Sequence, residues 1–348
     1  GQNRRDIEDI TLRAGDQPLT RRLALERGQE LMDVRYGSVL KRLEPTFGFE
    51  GIGGNEGLKA FLQRKVIDRM KRGVTEGVPM GMALLGPPGT GKSALATAAA
   101  KETGVNAIEI KVLKNKYVGE SERNLEILIE GAEMFAPTYL FIDEYDKAFG
   151  ESGDNEHPVD AAMQKRMQEW LADESHRGRI FLMAASNYPE RVPPAMMRTG
   201  RIDVKAPMLA PETETERVDI LYRLLHRYGQ PTEIVGLLEF GRPTEGWVGS
   251  DLEFAVSQAV GDVHDDPTLS VTDALREAIE NTIPADNASI RAQEAAALRA
   301  TNVLSLLPER ERARRRQQAR EQHASSAEGI GQGGRIRQAR RDPDGPVI

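Results

Sequence analysis

One segment, Gly86-Pro87-Pro88-Gly89-Thr90-Gly91-Lys92-Ser93, places glycines, a lysine and a hydroxyl at a spacing suited to phosphate chemistry. Glycines let backbone N–H groups close around phosphate oxygens, a lysine neutralises their charge, and a serine hydroxyl can bind Mg²⁺. The segment follows an apolar run and opens an alanine-rich helical stretch, as such a loop requires. It predicts a nucleoside triphosphate site whose candidate residues are Pro87, Pro88, Gly89, Thr90, Gly91, Lys92, Ser93 and Ala94.

Acidic and amide side chains follow two later apolar runs. Asp143 and Glu144 come directly after the run that ends at Ile142, and Asn187 follows the next one. We expect Asp143 to hold Mg²⁺ together with Ser93, and Glu144 to polarise the attacking water. If the two runs are neighbouring strands, the Asn187 amide can hold that water and sense the γ-phosphate. Alone, each of these residues reads equally well as a solvated loop or turn residue; their weight comes from the phosphate loop.

The elements that must position these residues are predicted from apolar periodicity. Four short apolar runs read as buried strands, namely Met80–Leu85, Asn106–Ile110, Thr138–Ile142 and Arg179–Ala185. Helical spacing separates them, which favours an α/β fold with a parallel sheet covered on both faces. After about Pro211 the pattern is helical, in the segments Glu212–Tyr228, Gly249–Val263 and Thr272–Thr282.

The predicted division of the chain has four parts: a helical N-terminal extension (1–45), an α/β nucleotide-binding subdomain (46–208), a small all-helical lid subdomain (209–302) and a basic, disordered tail (303–348). Within the extension, Thr20–Leu43 reads as an amphipathic helix with Val34 and Leu40 on its apolar side. Within the tail, a helix is expected around Glu309–Glu321.

Composition excludes several classes of function. The chain has 348 residues, a formal net charge of −7 and no cysteine, so disulfide frameworks, thiolate zinc sites and cysteine nucleophiles are absent. The five histidines form no H-E-x-x-H pair, which disfavours a zinc protease. With neither a secretory signal nor a membrane span in the sequence, we expect a cytoplasmic protein that does not bind membranes.

Together these motifs resemble the AAA family of ATPases, over about residues 47–302. The resemblance implies a P-loop NTPase fold of the AAA+ type that uses ATP and Mg²⁺. It also implies self-assembly into a ring, expected to be a hexamer, that remodels or threads a protein client through a central pore. The segments Ile283-Pro284 and Ile290–Ala300 resemble the closing helix of single-ring bacterial, phage and plastid members.

The resemblance also extends to the adenine side of the site. In Phe49-Glu50-Gly51-Ile52-Gly53-Gly54, it assigns adenine contacts to Ile52 and Gly53, although Gly51 stands where an Asp is usual. In the helical part it assigns adenine and lid contacts to Ile220, Gly249 and Ser250.

Two further motifs carry roles implied only by the resemblance. In Met197-Arg198-Thr199-Gly200-Arg201-Ile202-Asp203, both Arg198 and Arg201 are similar to arginine fingers that act on a neighbouring subunit's nucleotide, which would make activity depend on assembly. Tyr117, Val118 and Gly119 resemble a pore loop that grips the client. The plainer alternatives are surface ion pairs for the arginines and local packing for the tyrosine.

Other partners stay open at this point. The last 41 residues hold ten Arg and six acidic residues, a net charge of +4, so the residues before them carry −11. A nucleic-acid-directed AAA ATPase, such as a loader or transposition helper, is therefore an alternative that would depend on the tail. An activase of a metabolic enzyme complex is another, and an adaptor could bind through residues 1–45.

Overall fold

The computed structural model describes residues 32–111, 120–149 and 158–320. The chain divides into two compact units, 1–306 and 307–348. Within the described part of the second unit, residues 309–320 form a helix, which confirms the helix expected there. No helix in the described ranges has both the length and the apolar character to cross a membrane.

The centre of the first unit is a six-stranded sheet in the order β1-β3-β4-β5-β2-β6. Its strands are Leu40–Arg42 (β1), Gly81–Leu85 (β2), Asn106–Ile110 (β3), Thr138–Ile142 (β4), Ile180–Ser186 (β5) and Val204–Pro207 (β6). All neighbours pair in parallel except β1, which runs antiparallel to β3 at the edge. Strand β2 lies between β5 and the edge strand β6, so the phosphate loop leaves the sheet one strand from its edge.

Alternate residues of each strand pack into two different cores. Leu85, Ile108 and Leu140 belong to one buried cluster, and Leu84, Tyr139 and Phe181 to the other, on the opposite face. Because both faces are covered, the strands read as continuous apolar runs instead of alternating ones. This is why the four central strands could be predicted, two of them with the observed bounds.

The helices of the α/β half cover the two faces of this sheet. They are Glu56–Leu62 (α1) and Asp68–Lys71 (α2), joined by the π-helical turn Gln63–Ile67, then Lys92–Thr103 (α3), Glu120–Met134 (α4), Tyr145–Phe149 (α5) and Pro158–Leu171 (α6). Helices α1, α2 and α3 pack on one face, while α4, α5 and α6 contribute to the core on the other face.

The helical half has a core of its own. It consists of Glu214–Arg227 (α7), the 3₁₀ segment Ile234–Phe240, Gly249–Asp265 (α8) and Val271–Asn281 (α9), which share one buried cluster that includes Trp247. The helix Asn287–Ala300 (α10) returns to the sheet, where Ala297 is fully buried in the α/β core. After it, Asn302 bonds to the backbone of Asp203 and Lys205 and so covers the open edge of β6.

Two features of the edges differ from the prediction. The helix predicted over Thr20–Leu43 is wrong beyond Tyr36, because Gly37 and Ser38 form a turn and Leu40 pairs with Ile110 in β1. Val34, predicted on the apolar side, is 88% exposed. Strand β6 was not predicted, since a four-residue edge strand interrupted by Lys205 carries little periodicity. Residues before 32 lie outside the described part.

Candidate functional site

The phosphate loop connects β2 to α3 at the carboxyl edge of the sheet. Gly89 and Gly91 adopt φ values of 80° and 83°, a conformation that favours glycine and that turns successive N–H groups toward one side. Gly91 caps helix α3, so the loop ends on a helix N-terminus, where anions bind favourably. Of the other loop residues, Pro87 and Thr90 are buried, Pro88 is exposed and Ala94 lies in the first turn of α3.

The lysine of the loop lies inside it. Lys92 is 6% exposed, and its Nζ donates hydrogen bonds to the carbonyl oxygens of Gly86 (3.0 Å) and Pro87 (2.6 Å). Burial lowers the pKa of Lys92 to about 8, against the opposing effect of the Asp143 and Asp146 carboxylates. A buried cation within a curl of backbone N–H groups is a strong attractor for a polyphosphate.

Ser93 and Asp143 meet across the cleft between α3 and the end of β4. The Ser93 hydroxyl donates to Asp143 Oδ2 at 2.6 Å, while Asp143 Oδ1 accepts from the backbone N–H of Glu144 at 2.8 Å. One hydroxyl and one carboxylate are oxygen ligands of the kind Mg²⁺ prefers when phosphates and waters supply the rest. Among the described residues no cluster of three or more acids or histidines could hold a metal alone, so the donor set fits Mg²⁺ only together with a bound nucleotide.

Glu144 occupies a strained position on the same turn. Its φ of 50° lies in the left-handed region, which costs a non-glycine residue energy and is common where a side chain must be aimed. The side chain is half exposed and forms an ion pair with Lys147 one turn later. The carboxylate is therefore solvent-accessible beside Asp143, where it can reach a water molecule.

Asn187 follows β5, which is the direct neighbour of β4. The register pairs Ile142 with Ala184, so the residues after each strand lie along one edge of the sheet. The Asn187 Oδ1 atom is buried and has no hydrogen-bond partner within the described part of the chain. The condition on which the role of Asn187 depended, that the two strands are neighbours, is met.

Arg198 and Arg201 lie elsewhere. The Arg201 carbonyl oxygen is 3.1 Å from where a Cβ on Gly81 would be, at the start of β2, whereas the phosphate loop follows the end of that strand. The Arg201 side chain donates to Gln168 on α6 (3.2 Å) and to the carbonyl of Ala195. Arg198 is exposed, and no ion pair or hydrogen bond of its side chain occurs within the described ranges.

The loop that carries these arginines is anchored to the start of β2 by Asp203. The two carboxylate oxygens of Asp203 accept hydrogen bonds from the backbone N–H groups of Met80 (2.7 Å) and Gly200. Arg177 lies 3.8 Å from the same carboxylate. This anchoring role of Asp203 was not predicted from the sequence; the short spacing between Gly200 and Asp203, typical of a turn, is the feature that could have indicated it.

On the adenine side, the segment around Ile52 packs against the first lid helix. A Cβ on Gly53 would lie 2.4 Å from the Ile220 Cα, so only glycine allows this approach. Asp219 accepts from the N–H of Gly54 at 2.9 Å, which holds the two parts together. A Cβ on Gly51 would lie 2.8 Å from the ring of Phe47. The aspartate that is usual at this position in the family therefore has no room in this structure.

The second lid contact reaches the phosphate loop itself. The N–H of Ser250, in the first turn of α8, donates to the carbonyl oxygen of Gly89 at 2.9 Å, and a Cβ on Gly249 would lie 2.9 Å from the same oxygen. The structure therefore brings the predicted residues of both subdomains to one cleft. The predicted pore-loop residues Tyr117, Val118 and Gly119 lie outside the described residues.

Comparison with known proteins matches the central part of the chain to the family that its sequence motifs resemble. Residues 82–208 match the model of the family described as "ATPase family associated with various cellular activities (AAA)". This range runs from β2 to just beyond β6 and contains the phosphate loop, Asp143, Glu144, Asn187 and both arginines.

Several curated proteins are similar over the same region. "Protein SAV" of Sulfolobus acidocaldarius is 33% identical over 62% of this chain, and spastin of Ixodes scapularis is 34% identical over 64%. The cell division cycle protein 48 homolog of Archaeoglobus fulgidus is 32% identical over 69%. The matched regions cover 28%, 35% and 33% of those proteins, so the chain spans about a third of their length.

A solved structure shares the fold. The AAA domain of FIGL-1, determined in complex with ADP, superposes with a TM-score of 0.59 at 21% identity and covers 79% of this chain and 98% of that one. Because 79% of the chain is covered, the likeness extends beyond residue 208, where the family model ends.

Proposed function

This chain belongs to the AAA family of ATPases, and we propose that it hydrolyses ATP in a self-assembled ring, expected to be a hexamer, and uses the hydrolysis to remodel or thread a protein client. The observation that carries the proposal is the cleft in which the phosphate loop, the Asp143-Glu144 turn and Asn187 share one sheet edge while Ser250 contacts Gly89 from the lid. Residues from both halves thus meet at one site.

Each residue at this edge has a distinct task in the proposed reaction. Lys92 exchanges its hydrogen bonds to loop carbonyls for the β- and γ-phosphates. Glu144 accepts a proton from water as the water oxygen bonds to the γ-phosphorus and the bond to the β,γ-bridging oxygen breaks. Asn187 supplies an amide that orients the water or the γ-phosphate, and its unpartnered Oδ1 supports that role.

Ser93 and Asp143 would hold Mg²⁺ when nucleotide is bound. Their direct hydrogen bond places two oxygen donors side by side beside the phosphate loop. The bound ion would neutralise charge on the β- and γ-phosphates. Replacing Ser93 by Ala should therefore weaken nucleotide binding measured with Mg²⁺ more than nucleotide binding measured with EDTA.

The adenine contacts follow from the packing between the subdomains. Ile52, Gly53 and Ile220 meet at the junction, and Gly249 and Ser250 contact the phosphate loop. A nucleotide in the cleft would touch both halves, so its hydrolysis would change the contacts that set the lid angle. This coupling is the proposed source of mechanical work.

The arginines support an assembly in which neighbours complete each other's sites. Arg198 is exposed and Arg201 is directed to α6 and Ala195, away from the phosphate loop of its own chain. A guanidinium from a neighbouring copy could stabilise charge on the transferring phosphoryl group. In the proposed ring, Tyr117 and Val118 would grip the client.

The proposed activity is tested with the Glu144→Gln variant, which keeps the shape of the side chain and removes the base. We expect it to bind ATP with an affinity close to that of the parent and to lose hydrolysis by about 10²-fold or more. Turnover equal to the parent's would contradict the role of Glu144. The same variant with ATP should retain clients on the ring for identification by pull-down.

Threading is tested separately with Tyr117→Ala. Basal ATPase should stay close to the parent's, whereas unfolding of a fluorescent protein substrate should be lost. Equal unfolding by parent and variant would contradict threading and leave the ATPase activity intact.

One observation favours a second candidate, a nucleic-acid-directed ATPase. The helix 309–320 carries six Arg and two Glu, and Arg310, Arg316 and Arg320 are exposed. Stimulation of ATPase by DNA but not by unfolded protein would favour this candidate over protein remodelling.

A further inference from the structure

A third carboxylate, that of Asp146, lies close to Asp143 and Glu144 in the sequence but is buried. Asp146, in the first turn of α5, is 5% exposed, and its Oδ1 accepts a hydrogen bond from the Ser186 hydroxyl at 2.6 Å. A buried carboxylate requires such a partner, and this one joins the turn after β4 to the last residue of β5. The bond therefore links the strand end that carries Asp143 and Glu144 to the strand end that carries Asn187.

Ser186 makes three hydrogen bonds around Asn187. Its hydroxyl oxygen donates to Asp146 and accepts from the backbone N–H of Tyr188 at 3.2 Å. Its carbonyl oxygen accepts from the N–H of Gly86, the first residue of the phosphate loop, at 3.2 Å. A hydroxyl that bonds to the N–H two residues later closes a tight turn, and Asn187 is the residue inside this turn.

The orientation of Asn187 is not fixed by bonds of its own carboxamide oxygen. That Oδ1 atom is buried without a partner in the described part of the chain, while the residues before and after it are held by the Ser186 hydroxyl. The charge of Asp146 also acts on Lys92, so the same carboxylate lies close to the phosphate loop.

We propose that Asp146 is a positioning residue for ATP hydrolysis: it fixes the Ser186 hydroxyl, which in turn holds the backbone turn that presents the Asn187 amide to the γ-phosphate. The inference deepens the proposed function and rests on it. In this proposal Asp143 and Glu144 face the cleft directly, whereas Asp146 acts through Ser186 on the neighbouring strand.

The first test compares Ser186→Ala, Asp146→Ala and Asp146→Asn. A misplaced orienting group can cost about 10²-fold, and we expect kcat at saturating ATP to fall by about tenfold or more in both alanine variants. In Ser186→Ala, which keeps the Asp146 charge that acts on Lys92, affinity for a fluorescent ADP analogue should change by no more than about twofold, since Asn187 acts on the γ-phosphate. Asp146→Asn keeps an acceptor for the Ser186 hydroxyl and should recover most of kcat.

The matched control is Thr138→Val. Thr138 is fully buried at the opposite end of β4, and its hydroxyl donates to the carbonyl of Ala132 at 3.2 Å. The Thr138→Val substitution removes a buried hydroxyl from the same sheet, so thermal stability should fall while kcat stays close to the parent's. If Thr138→Val lowers kcat as much as Ser186→Ala does, the loss reflects stability alone and the proposal is overturned.

The decisive measurement is a double-mutant cycle between Ser186→Ala and Asn187→Ala. If Ser186 acts through Asn187, the double variant should have the kcat of Asn187→Ala alone, because the second change removes nothing further. Losses that multiply, or a Ser186→Ala kcat equal to the parent's, would overturn the positioning role. A parental kcat in Asn187→Ala would also overturn it, yet leave the ATPase intact; absence of ATPase in the parent would instead overturn the proposed function.

Discussion

At the carboxyl edge of the parallel sheet the polar side chains bond to one another, whereas at the amino edge a charged loop points outward. Ser93 meets Asp143 and Ser186 meets Asp146 at the first edge. At the second, Asp203 anchors a loop on which Arg198 has no partner in the described part of the chain. The candidate phosphate site thus lies at one edge, and the other edge carries the exposed Arg198 and the Arg201 side chain that bonds to Gln168 and Ala195.

This difference indicates how catalysis is divided in the proposed ring. Strand β2 separates the edges by four residue steps, about 13 Å at the usual rise per residue. In the proposed ring, the residues that bind nucleotide and those that would stabilise the transition state would therefore belong to different copies of the chain. Substitutions at each edge should therefore have separable effects on nucleotide affinity and on kcat.

The largest expected effect is at the amino edge. Arg201→Ala should lower kcat by about 10³-fold, because an arginine finger stabilises charge that develops only in the transition state. ADP affinity should stay close to the parent's. Arg179→Ala, an exposed arginine before β5, is the control and should keep full activity. Loss of nucleotide binding in Arg201→Ala would show that the two edges are not separate.

At the carboxyl edge, Lys92→Met should weaken ATP binding by about 100-fold, since charge-assisted bonds to two phosphates are lost. The effect is expected on affinity first, in contrast to Arg201→Ala. Isothermal titration with ATP and Mg²⁺ measures it, and exposed Lys71→Met serves as the control. An unchanged affinity in Lys92→Met would contradict the assignment of the phosphate loop.

The lowered pKa of Lys92 gives this edge a pH dependence. The free protein holds Lys92 at a pKa of about 8, and phosphate binding requires the charged form. Above that pKa a proton must be taken up on binding, so affinity should fall by about tenfold between pH 7 and pH 9. Lys92→Met should lack this dependence; the same slope in the variant would assign it to another group.

The smallest expected effect concerns the ion pair between Glu144 and Lys147. Both side chains are largely exposed, and such pairs contribute little in water. Lys147→Met should free the Glu144 carboxylate and raise kcat by about twofold, within the range of a weak surface pair. Steady-state ATPase at saturating ATP detects it. A tenfold change in either direction would mean that Lys147 takes part in the reaction itself.

The sequence was most informative where a function requires particular residue types at a fixed spacing. The phosphate loop requires Gly89, Gly91 and Lys92 in fixed order, so its position and context could be predicted. The central strands were also predictable, because burial on both faces makes them continuously apolar. Edge strands β1 and β6 were not, since short strands with one open side carry charges such as Lys41 and Lys205.

Interactions between distant segments could not be predicted. Asp146 is 40 residues from Ser186, and neither stands in a pattern that names the other as its partner. The contact between Gly51 and Phe47 is local, but no sequence pattern indicates that the ring excludes a larger side chain there. The roles of Arg198, Arg201 and Tyr117 stay predictions, since they depend on a neighbouring copy or a client.

The most direct measurement mixes two inactive variants, Arg201→Ala and Glu144→Gln, over a range of ratios. In a mixed ring, an Arg201→Ala subunit keeps its own Glu144 and can receive Arg201 from a Glu144→Gln neighbour. We expect ATPase activity that rises to a maximum at intermediate ratios, well above either variant alone. No recovery at any ratio, with mixed assembly confirmed by mass measurement, would contradict it.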